Sequence, residues 1–415
     1  MYMKQYGLLG EKLGHSFSPR IHALLGRAIG AEYPYTLFEV APDDLPAFLQ
    51  KGFFAGLNVT IPYKKAVIPF CAEISPKAAA IGSVNTILRR ADGTLYGDNT
   101  DYDGFLHLMR LLGADVRGKK CVILGSGGSS LTVRAVLRDL GAGEIVVVSR
   151  RGEDNYSNLH RHRDAALLVN TTPVGMYPGN GAAPVSLDAF PALKAVADII
   201  YNPAKTALLL DAERRGIPCI NGLPMLVSQA ARAAELFTGL AVSDDVVESV
   251  TRAVEREAKN IALIGMPGCG KSAVGKALAH LTGRPFYDSD ELVAARAGKT
   301  IPAIFAEDGE EAFRKMEHEV LRELCARSGA VIATGGGIVK RPENLPLLRQ
   351  NSVTVYLERP LSDLPVHGRP LSQKHGVEAL YRERAPLYEA WSDFTVKSAR
   401  SVSETARKIA EVLHL

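Results

Sequence analysis

Short apolar runs alternate with segments of helical period along most of the chain, the pattern of α/β layers built on largely parallel sheets. Two of these runs end in glycine clusters. The first, Lys120-Cys121-Val122-Ile123-Leu124, leads into Gly125-Ser126-Gly127-Gly128-Ser129-Ser130 and a helical pattern to about Leu140. The second, Asn260-Ile261-Ala262-Leu263-Ile264, leads into Gly265-Met266-Pro267-Gly268-Cys269-Gly270-Lys271-Ser272 and a helical pattern to about Leu281. Each reads as strand, tight phosphate-sized turn and helix. Between them, Ser243 to Lys259 reads as a charged amphipathic helix capped by Ser243, with Val246, Val247, Val250 and Val254 on one face. A main boundary is expected just after it, near residue 258. Ser401 and Glu404 have capping-box spacing and open a last packing helix that runs to Leu415.

The chain has 415 residues, which at roughly 150 per domain predicts two or three domains. With 47% hydrophobic and 23% charged residues it reads as a globular chain able to bury sizeable cores, not a disordered or collagen-like one. The net charge of +4 is spread without a block of like charges, so no nucleic-acid or membrane tail is expected. The short cluster His160-Arg161-His162-Arg163 reads as a solvated loop, and no other histidines have metal-ligand spacing. Five separated cysteines without a C-x-x-C pair give neither a disulfide framework nor a zinc knuckle, and point to a reducing cytoplasm. The opening residues lack a signal-peptide pattern, and no apolar run approaches the ~18 residues of a membrane span.

Gly265 to Ser272 fits G-x-x-x-x-G-K-[ST], placed after a strand and opening a helix as the mechanism of that motif requires. Backbone amides of Gly265, Gly268, Cys269 and Gly270 turn inward around phosphates, Lys271 reaches the β and γ groups of ATP, and the Ser272 hydroxyl ligates Mg²⁺. Downstream, Phe286-Tyr287-Asp288-Ser289-Asp290 ends a short strand with two carboxylates two apart, expected to share a face. One would serve the metal shell and the other accept a hydroxyl proton. Arg314 and Glu317 stand at i and i+3 on a helix, where the carboxylate orients the guanidinium. Val331-Ile332-Ala333-Thr334 runs into Gly335, Gly336 and Gly337, whose bare backbone permits close approach of a ligand.

These motifs, from Asn260 to about Val396, together resemble shikimate kinase of the nucleoside-monophosphate-kinase-like group. The resemblance implies a P-loop three-layer α/β domain that transfers the ATP γ-phosphoryl group to the 3-hydroxyl of shikimate. It implies further that Asp288 assists Mg²⁺ binding and Asp290 acts as base. Arg314 and Arg384 would grip the substrate carboxylate, Gly335 to Gly337 line the ring, and Arg369 act as the lid arginine. Only ten residues separate Glu358 from Arg369, fewer than the family carries before its lid.

In the first half, the turn Gly125, Ser126, Gly127, Gly128 and Ser129 suggests dinucleotide binding without the full G-x-G-x-x-G spacing. The next strand, Glu144 to Val148, ends in Ser149-Arg150-Arg151 where an acid would hold a ribose hydroxyl, and arginines there favour NADP(H) over NAD. Upstream, polar clusters close apolar runs: Ser16-Phe17-Ser18-Pro19, Asn58-Val59-Thr60-Ile61-Pro62-Tyr63-Lys64, Ser83-Val84-Asn85-Thr86 and Gly97-Asp98-Asn99-Thr100-Asp101. A lone Lys64 would be a solvated lysine, but the four segments, continued by Asn170 to Met176 and Gly222 to Gln229, together resemble shikimate dehydrogenase over roughly residues 6 to 257.

That resemblance implies a two-lobed unit, an α/β catalytic domain with a Rossmann-like NADP domain, and reduction of 3-dehydroshikimate by NADPH. It implies that Ser16 and Ser18 bind the carboxylate, that Asn58, Thr60, Asn85, Asp101 and Gln229 hold ring hydroxyls, and that Lys64 and Asp101 form the catalytic pair. Only 19 residues intervene between Arg150 and Asn170, too few for a full helix-and-strand crossover.

The expected layout is a catalytic domain of residues 1–102 plus 223–257, an abbreviated NADP-binding domain of 103–222 and a kinase domain of 258–415. The two resemblances name consecutive reactions on small-molecule substrates in the route to chorismate and the aromatic amino acids. Two rivals stand beside that reading: one half without catalysis, acting as a ligand-binding or regulatory module, or a second half that is a different small-molecule or nucleotide kinase. Quinate also stands open as a dehydrogenase substrate. Oligomeric state is not legible.

Overall fold

The computed structural model describes residues 5–14, 16–364 and 376–415. The chain separates into two compact units. The first comprises Met1–Met176, Ala182–Tyr201 and Asp211–Glu255, and the second Tyr177–Gly181, Asn202–Leu210 and Arg256–Leu415.

The first unit is built on two sheets. One holds β1 (Tyr6–Gly10), β2 (Tyr35–Glu39), β3 (Gly56–Val59), β4 (Glu73–Ile74), β5 (Thr86–Arg89) and β6 (Leu95–Asp98), in the order β2-β1-β3-β5-β6-β4. It is mixed: β1 pairs in parallel with β2 and β3, whereas β5 runs antiparallel to both β3 and β6. The ends of β3, β5 and β6 carry the polar segments around Asn58, Asn85 and Asp101, so the sheet gathers residues far apart in sequence. The helix Thr100–Leu112 follows β6 at once, its N-terminus closed by Asn99 accepting from the amide of Tyr102. It packs against the helix Leu223–Thr238 so tightly at Gly104 that a Cβ there would stand 2.5 Å from the carbonyl oxygen of Met225.

The second sheet holds β7 (Lys120–Leu124), β8 (Glu144–Val148), β9 (Leu167–Asn170), β10 (Ala195–Asp198) and β11 (Cys219–Ile220), all parallel, in the order β11-β10-β9-β7-β8. Its central strands are buried on both faces, as continuous apolar runs in parallel sheets are. The helix Gly128–Asp139 covers one crossover. The short stretch between β8 and β9 holds a single 3₁₀ turn, Leu159–His162, where a regular crossover carries a helix, and β9 still pairs with β7 in full register.

The second unit is a parallel five-stranded sheet of β12 (Asn260–Ile264), β13 (Phe286–Asp288), β14 (Val331–Ala333), β15 (Ser352–Glu358) and β16 (Phe394–Lys397), ordered β13-β14-β12-β15-β16. The helices Lys271–Thr282 and Val402–Val412 lie together against it, the latter capped by Ser401 Oγ accepting from the amide of Glu404.

The expectation that Asp288 and Asp290 share a strand face is corrected here. β13 ends at Asp288, and Asp290 lies in the first turn of the helix Ser289–Ala297. Asp288 itself ends the strand, because its Oδ1 accepts the amides of Asp290 and Glu291 and so starts the helix.

Candidate active sites

Lys64 and Asp101 meet in the first unit, with Nζ 2.6 Å from Oδ2 and both side chains only slightly exposed. Lys64 lies just past β3, and Asp101 in the first turn of the helix after β6. Around them runs a buried hydrogen-bonded cluster. Asn85 Oδ1 accepts the amide of Thr100 at 2.6 Å, its Nδ2 donates to Thr100 Oγ1, and Thr100 Oγ1 reaches Gln229 Oε1 at 3.4 Å. Asn58 Nδ2 donates to Thr86 Oγ1, which donates in turn to Asn85 Oδ1. Asn58, Asn85 and Thr100 are buried. Ser18 opens the helix Ser18–Ala28, and its amide donates to Ser16 Oγ, which holds the two serines together.

The glycine turn after β7 lies beside the segment after β9. Gly125 adopts φ +99°, and a Cβ on it would lie 3.0 Å from both Thr171 Oγ1 and Thr172 Cγ2. Gly127 and Gly128 have nothing within 4 Å of an added Cβ, so the mouth of this turn is open on the side a dinucleotide phosphate needs. Ser149, Arg150 and Arg151 follow the neighbouring strand, with both arginines exposed.

In the second unit, Gly265, Gly268 and Gly270 take φ values of +143°, +83° and +100°, the left-handed range that lets successive amides face one anion. Lys271 is buried and donates to the carbonyls of Gly265 and Met266. Ser272 Oγ donates to Asp288 Oδ2 at 2.5 Å, so the two oxygens suited to Mg²⁺ already stand side by side. A cavity of about 430 Å³ joins this loop to Asp290, Arg314, Glu317, the three glycines and Arg384. Arg314 Nη1 donates to Glu317 Oε2 at 2.7 Å, and Arg384 Nη1 donates to the carbonyl of Gly336. Asp290 Oδ1, Glu317 Oε1, Arg314 Nε and Arg384 Nε and Nη2 are buried without a hydrogen-bond partner among the described residues. Gathered around one cavity, these atoms are placed to meet a polar ligand or water. Burial, then the neighbouring Glu317 carboxylate, push the Asp290 carboxyl up to about 6, and burial raises Glu317 as well.

Comparison with known proteins decides the family. The shikimate dehydrogenase (NADP(+)) of Clostridium perfringens is 38% identical over 264 residues, covering 60% of this chain and 97% of that protein. The chain belongs to the shikimate dehydrogenase family. A family model for the shikimate dehydrogenase substrate binding domain matches residues 8–87, and one for shikimate kinase matches residues 267–414, so the second unit carries a shikimate kinase domain. Among solved structures, the chorismate mutase/shikimate 5-dehydrogenase fusion protein of Clostridium acetobutylicum is 37% identical, with a TM-score of 0.59 over 61% of this chain and 97% of that one. The shikimate 5-dehydrogenase of Thermus thermophilus, solved with NADP(H) and shikimate, is 33% identical, with a TM-score of 0.56 over 60% and 99%.

In the dehydrogenase unit the structure gathers Lys64, Asp101, Asn58, Asn85 and Gln229 into or beside one polar network, and in the kinase domain it gathers every expected residue except Arg369, which lies outside the described residues. Sequence reasoning missed Thr86 and Thr100, which tie Asn58, Asn85 and Gln229 together, and the buried His22 with the half-buried Tyr33 and Tyr35 behind Asn58. It missed Tyr388 too, whose hydroxyl donates to the Gly336 carbonyl beside Arg384. An i, i+4 spacing of Arg384 and Tyr388 on one helix face was the available signal.

Proposed function

We propose that the chain catalyses two consecutive reactions, NADPH-dependent reduction of 3-dehydroshikimate to shikimate and ATP-dependent phosphorylation of the shikimate 3-hydroxyl. NADPH supplies the hydride and ATP the phosphoryl group. In the dehydrogenase unit, hydride arrival at a carbonyl carbon leaves negative charge on oxygen. The Lys64 ammonium stabilises that charge and delivers a proton, while Asp101 aims it. Ser16 and Ser18 hold the carboxylate, and Asn58, Thr60, Asn85 and Gln229 the ring oxygens. The open turn at Gly127 and Gly128 accepts the dinucleotide phosphates, with Arg150 and Arg151 at the 2′-phosphate. In the kinase domain, Asp290 accepts the hydroxyl proton, Lys271 and the loop amides carry phosphate charge, and Ser272 and Asp288 hold Mg²⁺. Arg314 and Arg384 grip the substrate carboxylate.

The observation that carries the reading is the kinase cavity, where two guanidinium groups and two carboxylates keep unpartnered buried atoms beside a phosphate loop. Those groups suit a small acid bearing hydroxyls, the product of the reaction assigned to the other unit. The layout proposed with this function assigns residues 1–102 with 223–257 to substrate, 103–222 to NADP and 258–415 to phosphorylation; the second compact unit also takes in Tyr177–Gly181 and Asn202–Leu210. No described helix is long and apolar enough to cross a membrane. The five free cysteines fit a reducing cytoplasmic setting.

Purified protein given 3-dehydroshikimate, NADPH and ATP should consume NADPH and release ADP. Lys64→Ala should abolish the first signal and spare phosphorylation of added shikimate, whereas Lys271→Ala should do the reverse. Survival of either activity in its own variant would overturn that assignment.

A further inference from the structure

Behind the substrate cluster of the dehydrogenase unit lies a buried imidazole that the reaction as described does not use. His22 sits within the helix Ser18–Ala28 and is 1% exposed. Its Nδ1 is 2.7 Å from the Tyr33 hydroxyl, its Nε2 is 3.1 Å from Asn58 Oδ1, and its ring stacks on Tyr35 at 3.9 Å with 12° between planes. The Tyr35 hydroxyl also donates to Asn58 Oδ1, at 2.7 Å.

An amide oxygen accepts and never donates, so Nε2 must carry the hydrogen of the contact with Asn58. In a neutral ring Nδ1 is then the lone-pair nitrogen, and Tyr33 donates to it. Burial favours the neutral ring strongly, pulling the His22 pKa down to about 3. The arrangement fixes the Asn58 amide completely. Both lone pairs of Oδ1 are taken, by His22 and Tyr35, and one hydrogen of Nδ2 is committed to Thr86 Oγ1 at 3.2 Å. Only the second Nδ2 hydrogen is left for a ligand.

We propose that His22 is a positioning residue of the dehydrogenase, locking Asn58 in the orientation that presents a single N–H donor, and no acceptor, to an oxygen of the substrate ring. The inference rests on the reading that 3-dehydroshikimate binds against Asn58. A substrate oxygen that can accept is recognised there, and a group that can only donate is not.

The test uses the full chain, in which KM for NADPH reports on the fold of the dehydrogenase unit and phosphorylation of shikimate reports on the second unit. His22→Phe keeps the planar ring on Tyr35 and removes both hydrogen bonds. It should raise KM for 3-dehydroshikimate about tenfold, the size expected for one misaligned hydrogen bond, and leave KM for NADPH within about twofold. His22→Gln restores an N–H donor and should recover most of that loss. In a cycle with Asn58→Ala, the double variant should be no worse in KM than Asn58→Ala alone, because His22 acts through that amide. An unchanged KM in His22→Phe, a Gln variant no better than Phe, or fully additive penalties would overturn the proposal and leave His22 a packing residue. An Asn58→Ala variant with normal KM would instead remove the premise that substrate meets Asn58. Loss of 3-dehydroshikimate reduction in the unaltered chain would sink the functional reading itself.

Discussion

Gly337 stands so close to the guanidinium of Arg314 that a Cβ there would lie 2.0 Å from Nη1. Its φ of −99° is open to any residue, so the glycine is required for space and not for backbone freedom. Gly335 is in the same position towards Glu317, with an added Cβ 2.3 Å from Oε1. The glycine run therefore presses against the ion pair that holds Arg314, the arginine proposed to grip the substrate. Gly337→Ala should displace Arg314 and weaken its contact with Glu317, raising KM for shikimate by at least about tenfold and destabilising the kinase domain by about 1–3 kcal/mol. Steady-state kinetics of both activities on the same preparation check this, since reduction of 3-dehydroshikimate should be unaffected.

That relationship shows where the sequence could be read and where it could not. The two strand-turn-helix units were legible because an apolar run followed by glycines and a helical period is a local pattern, and β7 and β12 lie where it places them. The pairing of Arg314 with Glu317 was legible for the same reason, as an i, i+3 spacing on one helix. The position of Asp290 was not, because a helix cap competes with strand alternation and the outcome depends on the amides that Asp288 reaches. His22 was hidden too. In Ser18-Pro19-Arg20-Ile21-His22-Ala23-Leu24-Leu25 it reads as one more residue of an amphipathic helix, and only the sheet order brings Asn58 of β3 to its Nε2, Tyr35 of β2 onto its ring face and Tyr33 to its Nδ1.

Asp290 ties activity to pH. Its carboxyl, pushed up to about 6, is ionised at neutral pH, and in the proposed role of base it should make kinase kcat/KM fall as pH drops through about 6. A profile flat down to pH 5 would count against Asp290 as the base. Stability should move the opposite way. The folded value lies above the ordinary carboxyl value of about 3.9, so the folded chain binds the extra proton between the two. This contribution is fully present below about pH 4 and lost as pH rises through about 6. The ionised carboxylate then costs on the order of 3 kcal/mol at pH 8. Asp290→Asn should therefore be inactive as a kinase yet melt several degrees higher at pH 8, with the advantage gone at pH 4.

Arg150 and Arg151 are exposed at the end of β8, where an acidic residue would favour NAD. Replacing both with alanine removes charge-assisted hydrogen bonds to a 2′-phosphate, which should raise KM for NADPH by about 10- to 100-fold and change KM for NADH by less than about twofold. Equal losses with the two cofactors would place the arginines elsewhere than at the 2′-phosphate.

The same strand end is held by the device that replaces a crossover helix. His162 is 4% exposed, and its Nε2 lies 2.9 Å from Asp154 Oδ1. The backbone carbonyl of Asp154 accepts the amide of Ser149. One residue thus ties the arginine-bearing turn to the single 3₁₀ turn Leu159–His162, with no helix between them. Asp154→Ala leaves a buried imidazole without that acceptor, a loss of about 1–3 kcal/mol concentrated in this short segment. Amide exchange at Ser149 and through 150–163 should quicken, and KM for NADPH should rise about five- to tenfold with KM for 3-dehydroshikimate and the kinase activity unchanged. Asp154→Asn keeps an acceptor oxygen for the imidazole and should stay close to the unaltered chain in both measurements. If the alanine variant binds NADPH normally, the Asp154–His162 contact does not hold the cofactor turn in place.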